Sequence, residues 1–363
     1  MKKTVLGIAV ITSSLCAQAA TVYDKDGTSL DLGGRVQSVL YSNKHNKAGN
    51  NDSSIENTAR FSVGGKTKLN DYISGFGFAE WDMEDGKNEV SAREQYVGAD
   101  FNDYGKLYAG KTYDAVKHVI EATDVFEDNG CLAQPESDDF RNGILKYVYD
   151  NNGFYASASL QTAADNTVVY GQPEDGDDYE MNVDSGFALA AGYTIDDVLF
   201  GPLSINAGYS YTRMQDDEGK RVNADGAFLD NGRNIAASVS WGTTDSGLYL
   251  AALYTDKKWN FTQNMIGYMK GYEIVGGYGF DNGIGVYAGF ENHYETMQTP
   301  DGKKWPHKIT RTFPVYVNYN ANENFNVWAE ARFAAGSTPK FMDTMYDHEY
   351  MGSVFSVGAR YTF

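Results

Sequence analysis

Long apolar runs are missing from this sequence: none reaches the roughly 18 residues that a membrane-spanning helix requires, so the chain has no transmembrane helix. Cysteine is nearly missing too, with only Cys16 and Cys131 in 363 residues. Cationic residues are the minority, 30 Lys and Arg against 49 Asp and Glu, for a net charge of -19. Such acidity argues against nucleic acid as a partner, because phosphates are met by basic surfaces. The five histidines, His45, His118, His293, His307 and His348, are scattered with no Ser/His/acid spacing, so no catalytic residues are expected. The acidic run "MYDHEYM" from Met345 lacks the spaced oxygen ligands of a Ca²⁺ loop, and neither metal nor cofactor is expected.

The chain opens with "MKKTVLGIAVITSSLCAQAA": a basic start at Lys2 and Lys3, an apolar run from Val5 to Ile11, and small residues up to Ala19. That is the pattern of a secretory signal peptide over residues 1–19, leaving 20–363 as one domain. The apolar run is too short for an anchor. Leu15 stands before Cys16 where a lipoprotein would place a small residue. Cleavage would remove Lys2 and Lys3, make the charge two units more negative, and leave Cys131 alone. A single thiol makes no internal disulfide. Its acidic surroundings disfavour the thiolate, so Cys131 reads as an inert residue in a packed loop.

What the sequence does have is alternation. In "MGSVFSVGARYTF", Phe355, Val357, Ala359, Tyr361 and Phe363 share one face, and Ser356, Gly358, Arg360 and Thr362 the other. Period two, apolar against polar, marks a strand between two different solvents. "SLDLGGRVQSVLYS" sets Leu30, Leu32, Val36 and Leu40 against Asp31, Arg35 and Gln37. "TARFSVGGKTKL" sets Phe61, Val63 and Leu69 against Arg60, Ser62, Lys66 and Lys68. "ISGFGFAEWDM" sets Ile73, Ala79, Trp81 and Met83 against Phe76, Phe78, Glu80 and Asp82. A dry core would not accept these charges unpaired, whereas a water-filled lumen would.

Further runs of this kind fall at 92–101, 105–113, 143–150, 153–162, 186–195, 203–213, 233–242, 246–256, 269–280, 283–297, 307–319 and 324–335. The total is sixteen, an even number suited to a closed antiparallel transmembrane β-barrel. Short Asn-Gly turns such as "YDNNGF" and "FDNGIG" alternate with long acidic stretches such as "DNTVVYGQPEDGDDYEMNVD", as on the two rims of such a barrel. Aromatic residues make up 14% of the chain, enough to furnish two interfacial girdles. One segment breaks the rhythm: "KTYDAVKHVIEATDVFEDNGCLAQPESDDFRNG", from Lys111, is too long for a connection without a purpose.

The stretches "TVYDKDGTSLDLGGRV", "TARFSVGGKTKLND", "SGFGFAEWD", "REQYVGADFNDYGKLYAGKTYD", "RNGILKYVYDNNGFYASA" and the terminal "VGARYTF" resemble those of the trimeric general diffusion porins of Gram-negative outer membranes. The resemblance implies a homotrimer among outer-membrane lipids and lipopolysaccharide that passes small hydrophilic solutes and ions. The terminal Phe363 resembles the signal read by the barrel-assembly machinery. The long segment becomes the loop that folds inward and narrows the pore. Arg35, Arg60, Lys111 and Arg141 are then the basic residues of the constriction, and Asp124, Glu127 and Asp128 its acidic partners. The family's Pro-Glu-Phe-Gly-Gly run is replaced here by "TDVFEDNG", and Lys111 stands where arginine is commoner. "EDGKNEVS", carrying Glu84 and Glu89, is the counterpart of the loop that latches onto a neighbouring protomer.

Facing charges in a narrow aqueous waist set up a transverse field that favours dipolar solutes over greasy ones. Glu80 and Asp82, inward by alternation, add negative charge and point to mild cation selectivity. The alternative is a substrate-specific channel for a sugar or oligosaccharide, to which inward Phe76 and Phe78 would offer stacking faces.

Overall fold

The computed structural model describes residues 19–42, 55–84, 90–127, 130–133, 140–170, 179–216, 223–224, 227–305, 308–335 and 353–363. Sixteen strands form a closed ring. In chain order the first eight are β1 (Thr28–Tyr41), β2 (Ile55–Lys68), β3 (Ser74–Glu84), β4 (Val90–Asp100), β5 (Lys106–Thr112), β6 (Arg141–Asn151), β7 (Phe154–Gln161) and β8 (Tyr179–Val198). The second eight are β9 (Gly201–Met214), β10 (Ala227–Gly242), β11 (Gly247–Phe261), β12 (Ile266–Gly279), β13 (Ile284–Gln298), β14 (Lys308–Asn320), β15 (Phe325–Ala334) and β16 (Val354–Thr362). Each pairs antiparallel with the next, and β16 returns to β1 from Ser356 opposite Tyr41 to Thr362 opposite Arg35. Closure leaves no unpaired edge, the condition for strands to cross a bilayer.

β16 covers only part of β1. Beyond Gly34, whose amide and carbonyl both bond to Phe363 at 2.9 Å, an N-terminal arm at Ala20–Lys25 takes over. It pairs from Ala20 opposite Leu32 to Lys25 opposite Thr28. The arm turns through Asp26 and Gly27, whose φ values of 53° and 74° are what a two-residue hairpin loop demands. A second addition sits on β8, where Ala164–Tyr170 pairs with its first residues. The stretch read from sequence as a long acidic rim connection therefore begins and ends in paired strands.

The two faces of the wall differ as their residues require. On β16, Phe355, Val357, Tyr361 and Phe363 are exposed on the outside, while Ser356 points in and is buried. Leu189, Ile205, Ile274, Phe313 and Val315 continue the outer apolar surface, and Ser159, Ser210 and Thr312 line the interior. So broad an exposed apolar band matches a lipid contact rather than water. The turns at 69–73, 101–105, 152–153, 199–200, 243–246, 280–283 and 321–324 are short and share one rim. At the other rim leave the longer connections, apart from the four-residue turn at 262–265, and the one after β5 enters the barrel.

Candidate pore constriction

The sequence folds the segment after β5 inward because it is apolar where a surface loop would be polar. The Asp114 carboxylate accepts the Val116 amide at 2.8 Å in an Asx turn just ahead of a single helical turn, Lys117–Ile120, continued by a 3₁₀ turn at Glu121–Thr123. Ala115, Val116, Val119 and Ile120 are buried against an inner-wall cluster that includes Tyr96, Tyr108, Tyr155 and Leu253. Further on, Ala122, Val125 and Phe126 pack against Tyr249, Tyr287, Tyr316 and Trp328 on the other side of the barrel. Glycine makes the approach possible: a Cβ at Gly271 of β12 would lie 2.7 Å from the Cα of Ala133.

Backbone groups inside a barrel must still find partners. Here wall carboxylates serve. Glu273 accepts the Ala133 amide at 2.7 Å and the Thr123 hydroxyl. Glu330 accepts the Glu127 amide at 2.8 Å, and Glu291 the Leu132 amide at 3.4 Å. Thr255 donates to the Ala133 carbonyl at 2.7 Å, and the Tyr249 hydroxyl to the Ala122 carbonyl at 2.6 Å.

Facing this anchored loop is a basic wall. Arg35 and Arg60 are direct cross-strand partners on β1 and β2. Arg60 reaches Asp82 at 2.7 Å and Glu80 at 3.7 Å, so both acids of β3 turn inward. Arg93 joins them, at 3.1 Å from Glu80 and 2.8 Å from Asp82. Arg360 of β16 grips the loop residue Glu127 through both terminal nitrogens, donates to Gln37 at 2.9 and 3.0 Å, and lies 5.2 Å from the Trp328 ring.

Two residues expected in this basic group sit elsewhere. Lys111 pairs with the exposed Gln95, on the face opposite the buried Tyr108 and Thr112, and donates to the Ala92 carbonyl at 2.5 Å. Alternation therefore sets it on the outer side of the wall. Arg141 is buried at the start of β6, 3.0 Å from the Thr212 hydroxyl, in a small cavity it shares with Lys117, Asn234 and Lys257. Of the four expected basic residues, Arg35 and Arg60 stand side by side on the wall.

Of the loop acids, Glu127 meets Arg360, and Asp124 lies 3.6 Å from Lys117 and accepts the Cys131 thiol at 3.3 Å. Asp128 lies outside the described residues, as do residues 1–18, Glu89, and His45, His307 and His348. Burial pushes the Cys131 thiol well up, in keeping with an inert residue. Burial also raises Glu121 to about 7, against the opposing pull of Lys117. His118 stacks on Tyr155 with ring centroids 3.6 Å apart, and burial lowers it to about 4. Both line an open chamber of ≈ 760 Å³ between the loop and the short-turn rim, with Lys106, Asp124, Asp150 and Asp196.

Comparison with known proteins decides the family. The Gram-negative porin family model matches residues 4–305. The chain belongs to the Gram-negative porin family. As a porin it is a passive outer-membrane channel and not an enzyme. It is 25% identical over 362 residues to outer membrane protein F of Serratia marcescens, covering 91% of each chain. Among solved structures the porin resembles OmpF of Salmonella typhi in complex with daunomycin, at a TM-score of 0.73 and 19% identity over 95% of this chain and 100% of that one. It also resembles the trimer form of OmpT of Vibrio cholerae, at a TM-score of 0.67 and 20% identity over 93% of this chain and 100% of that one.

Sequence reasoning missed three inward cations of the porin, each for a structural reason. Arg93 falls on the outward parity of β4, but the register shifts there, with Glu80 opposite Glu94 and Trp81 opposite Ala92. The bulge turns Arg93 inward. Lys146 faces Tyr108 across β5 and β6 and donates to the Tyr113 carbonyl at 3.1 Å. Arg360 was visible on the polar face of the last strand; only the loop's reach to it through Glu127 brings it into the site.

Proposed function

We propose that this porin is a homotrimeric general diffusion channel whose waist lies between the arginine wall and the anchored loop. Arg35, Arg60, Arg93 and Arg360 form the basic side in this reading. Glu80, Asp82, Asp124 and Glu127 form the acidic side. Opposed charges in a partly dry waist favour water, ions and small dipolar solutes. The observation that carries the reading is the Glu127–Arg360 contact, which joins residues far apart in the chain across the barrel interior. Outside the waist the acidic excess of the chain adds a mild preference for cations, screened over about 8 Å at physiological salt. The partner proteins and lipids follow the same reading: neighbouring protomers, outer-membrane lipids and lipopolysaccharide, and the barrel-assembly machinery through Phe363.

A sugar-specific channel has less support. Phe76 and Phe78 do face inward, but Phe78 is 5% exposed and both pack in the cluster beneath the loop, with Phe76 5.2 Å from the Tyr108 ring. A passing sugar would find no open stacking face there. Planar-bilayer recording tests the choice: large ohmic steps in threes with a mild K⁺ preference are expected. A small conductance blocked by one sugar would favour the specific channel instead.

A further inference from the structure

We propose that the chamber beneath the loop is a docking site for short zwitterionic peptides crossing the channel; this rests on the channel reading above. The chamber, of ≈ 760 Å³, lies apart from the waist, between the loop and the short-turn rim. Its wall follows the inner face of β5 to β9. Lys106 of β5 stands opposite Val148 of β6, Asp150 opposite Tyr155 of β7, Tyr155 opposite Gly192 of β8, and Gly192 opposite Asn206 of β9. Asp196 lies further along β8 toward the same rim. A Cβ at Gly192 would collide with the Asn206 side chain, so the bare glycine keeps this stretch of the wall open.

The chamber holds charges of both signs without partners. Among the described residues, the side chains of Lys106, Asp150 and Asp196 form no hydrogen bond and no ion pair. Asp100, directly opposite Lys106, is engaged by Lys66 at 2.8 Å. On the loop above, His118 Nδ1 and Glu121 Oε2 are buried and lack hydrogen-bond partners. Between the charges lie the buried Val148 and Tyr155. A simple anion is repelled there by two aspartates and a simple cation by Lys106, while a neutral sugar leaves all three charges unmatched. A zwitterion meets both signs at once. β5 and β8 stand three strand spacings apart, about 14 Å at the backbone. The Lys and Asp side chains narrow that gap to the reach of a peptide of two or three residues, at most about 10 Å end to end. Each peptide bond also brings the donor and acceptor that His118 Nδ1 and Glu121 Oε2 lack. Docking stays reversible because Asp150 and Asp196 remain exposed to water, and a channel site must release what it takes up.

The test uses the full-length protein in planar bilayers, with trialanine added to each side in turn. Wild type, Lys106→Gln and Asp196→Asn are compared once each is shown to insert and conduct. In wild type, trialanine should lower the conductance in a saturable way, whereas the same peptide with acetyl and amide caps, which has no end charges, should not. Each variant should raise the trialanine concentration for half block on the order of fivefold, the weight of one unit charge at about 4 Å in water. If wild type conducts but free and capped trialanine act alike, or neither variant shifts the half-block concentration, the chamber proposal fails while the channel reading stands. Free alanine blocking as well as trialanine would overturn the peptide as occupant. Absence of conductance in wild type would overturn both readings.

Discussion

Two arcs of the same wall use carboxylates in opposite ways. On β2 to β4, Glu80 and Asp82 keep 14% and 17% of their side chains accessible and bind arginines. On β12, β13 and β15, Glu273, Glu291 and Glu330 are 1%, 2% and 1% exposed and accept bonds from the loop's backbone or hydroxyls. In the proposed channel the first arc lines the pore, where water can screen a charge. The second is scaffold, where a carboxylate is kept because the loop's amides would otherwise be buried without partners. Identical chemistry is sorted into function or support by what covers it.

The contrast breaks most severely at Glu273. Glu273→Ala strands the Ala133 amide, worth about 1–3 kcal/mol when buried unpaired, and removes an acceptor of the Thr123 hydroxyl. Single-channel traces should become larger and noisier as the loop leaves its seat. Gly271→Val attacks the same seat by volume: overpacking against Ala133 should cost about 1–3 kcal/mol and lower thermal stability without altering charge. On the lining arc the effect is electrical instead. Arg93→Ala leaves Glu80 and Asp82 with Arg60 alone, and the reversal potential in a KCl gradient should shift toward K⁺ while the melting temperature moves little.

The smallest effect concerns Glu121, which belongs to the loop. Its carboxyl is raised from 4.5 to about 7, chiefly by burial, so the protonated form fits the folded seat. An acid raised in this way supports folding fully below its unfolded value and loses that support as pH climbs through the folded one. Between pH 4.5 and about 7 the loop seat should weaken progressively, seen as faster amide exchange at Val119 and Ile120. Glu121→Gln should flatten that dependence.

Much of this architecture is legible in the sequence, because lipid outside and water inside impose period two on every strand. Phe355 to Phe363 and Arg35 to Gln37 read correctly for that reason. The N-terminal arm is less legible: "DKDGT" is a hairpin signal, but alternation is weak in a six-residue strand exposed throughout. The inward loop shows in its apolar residues Val116, Val119 and Ile120, yet nothing local says which carboxylates will hold it. Glu273, Glu291 and Glu330 look like any other polar residue of an inward face. Arg93 misleads by parity, because a bulge moves its charge by one residue and one residue changes the face, whereas Lys111 follows its strand's alternation outward against what the resemblance implied.

The central claim is that the loop crosses the lumen and closes on the arginine wall through Glu127 and Arg360. Its most direct test is a charge swap, Glu127→Arg with Arg360→Glu, read by single-channel conductance and reversal potential beside each single variant. The account predicts that each single reversal disturbs both quantities and that the double swap restores them toward wild type. Single reversals without effect, or effects that simply add in the double variant, would contradict it.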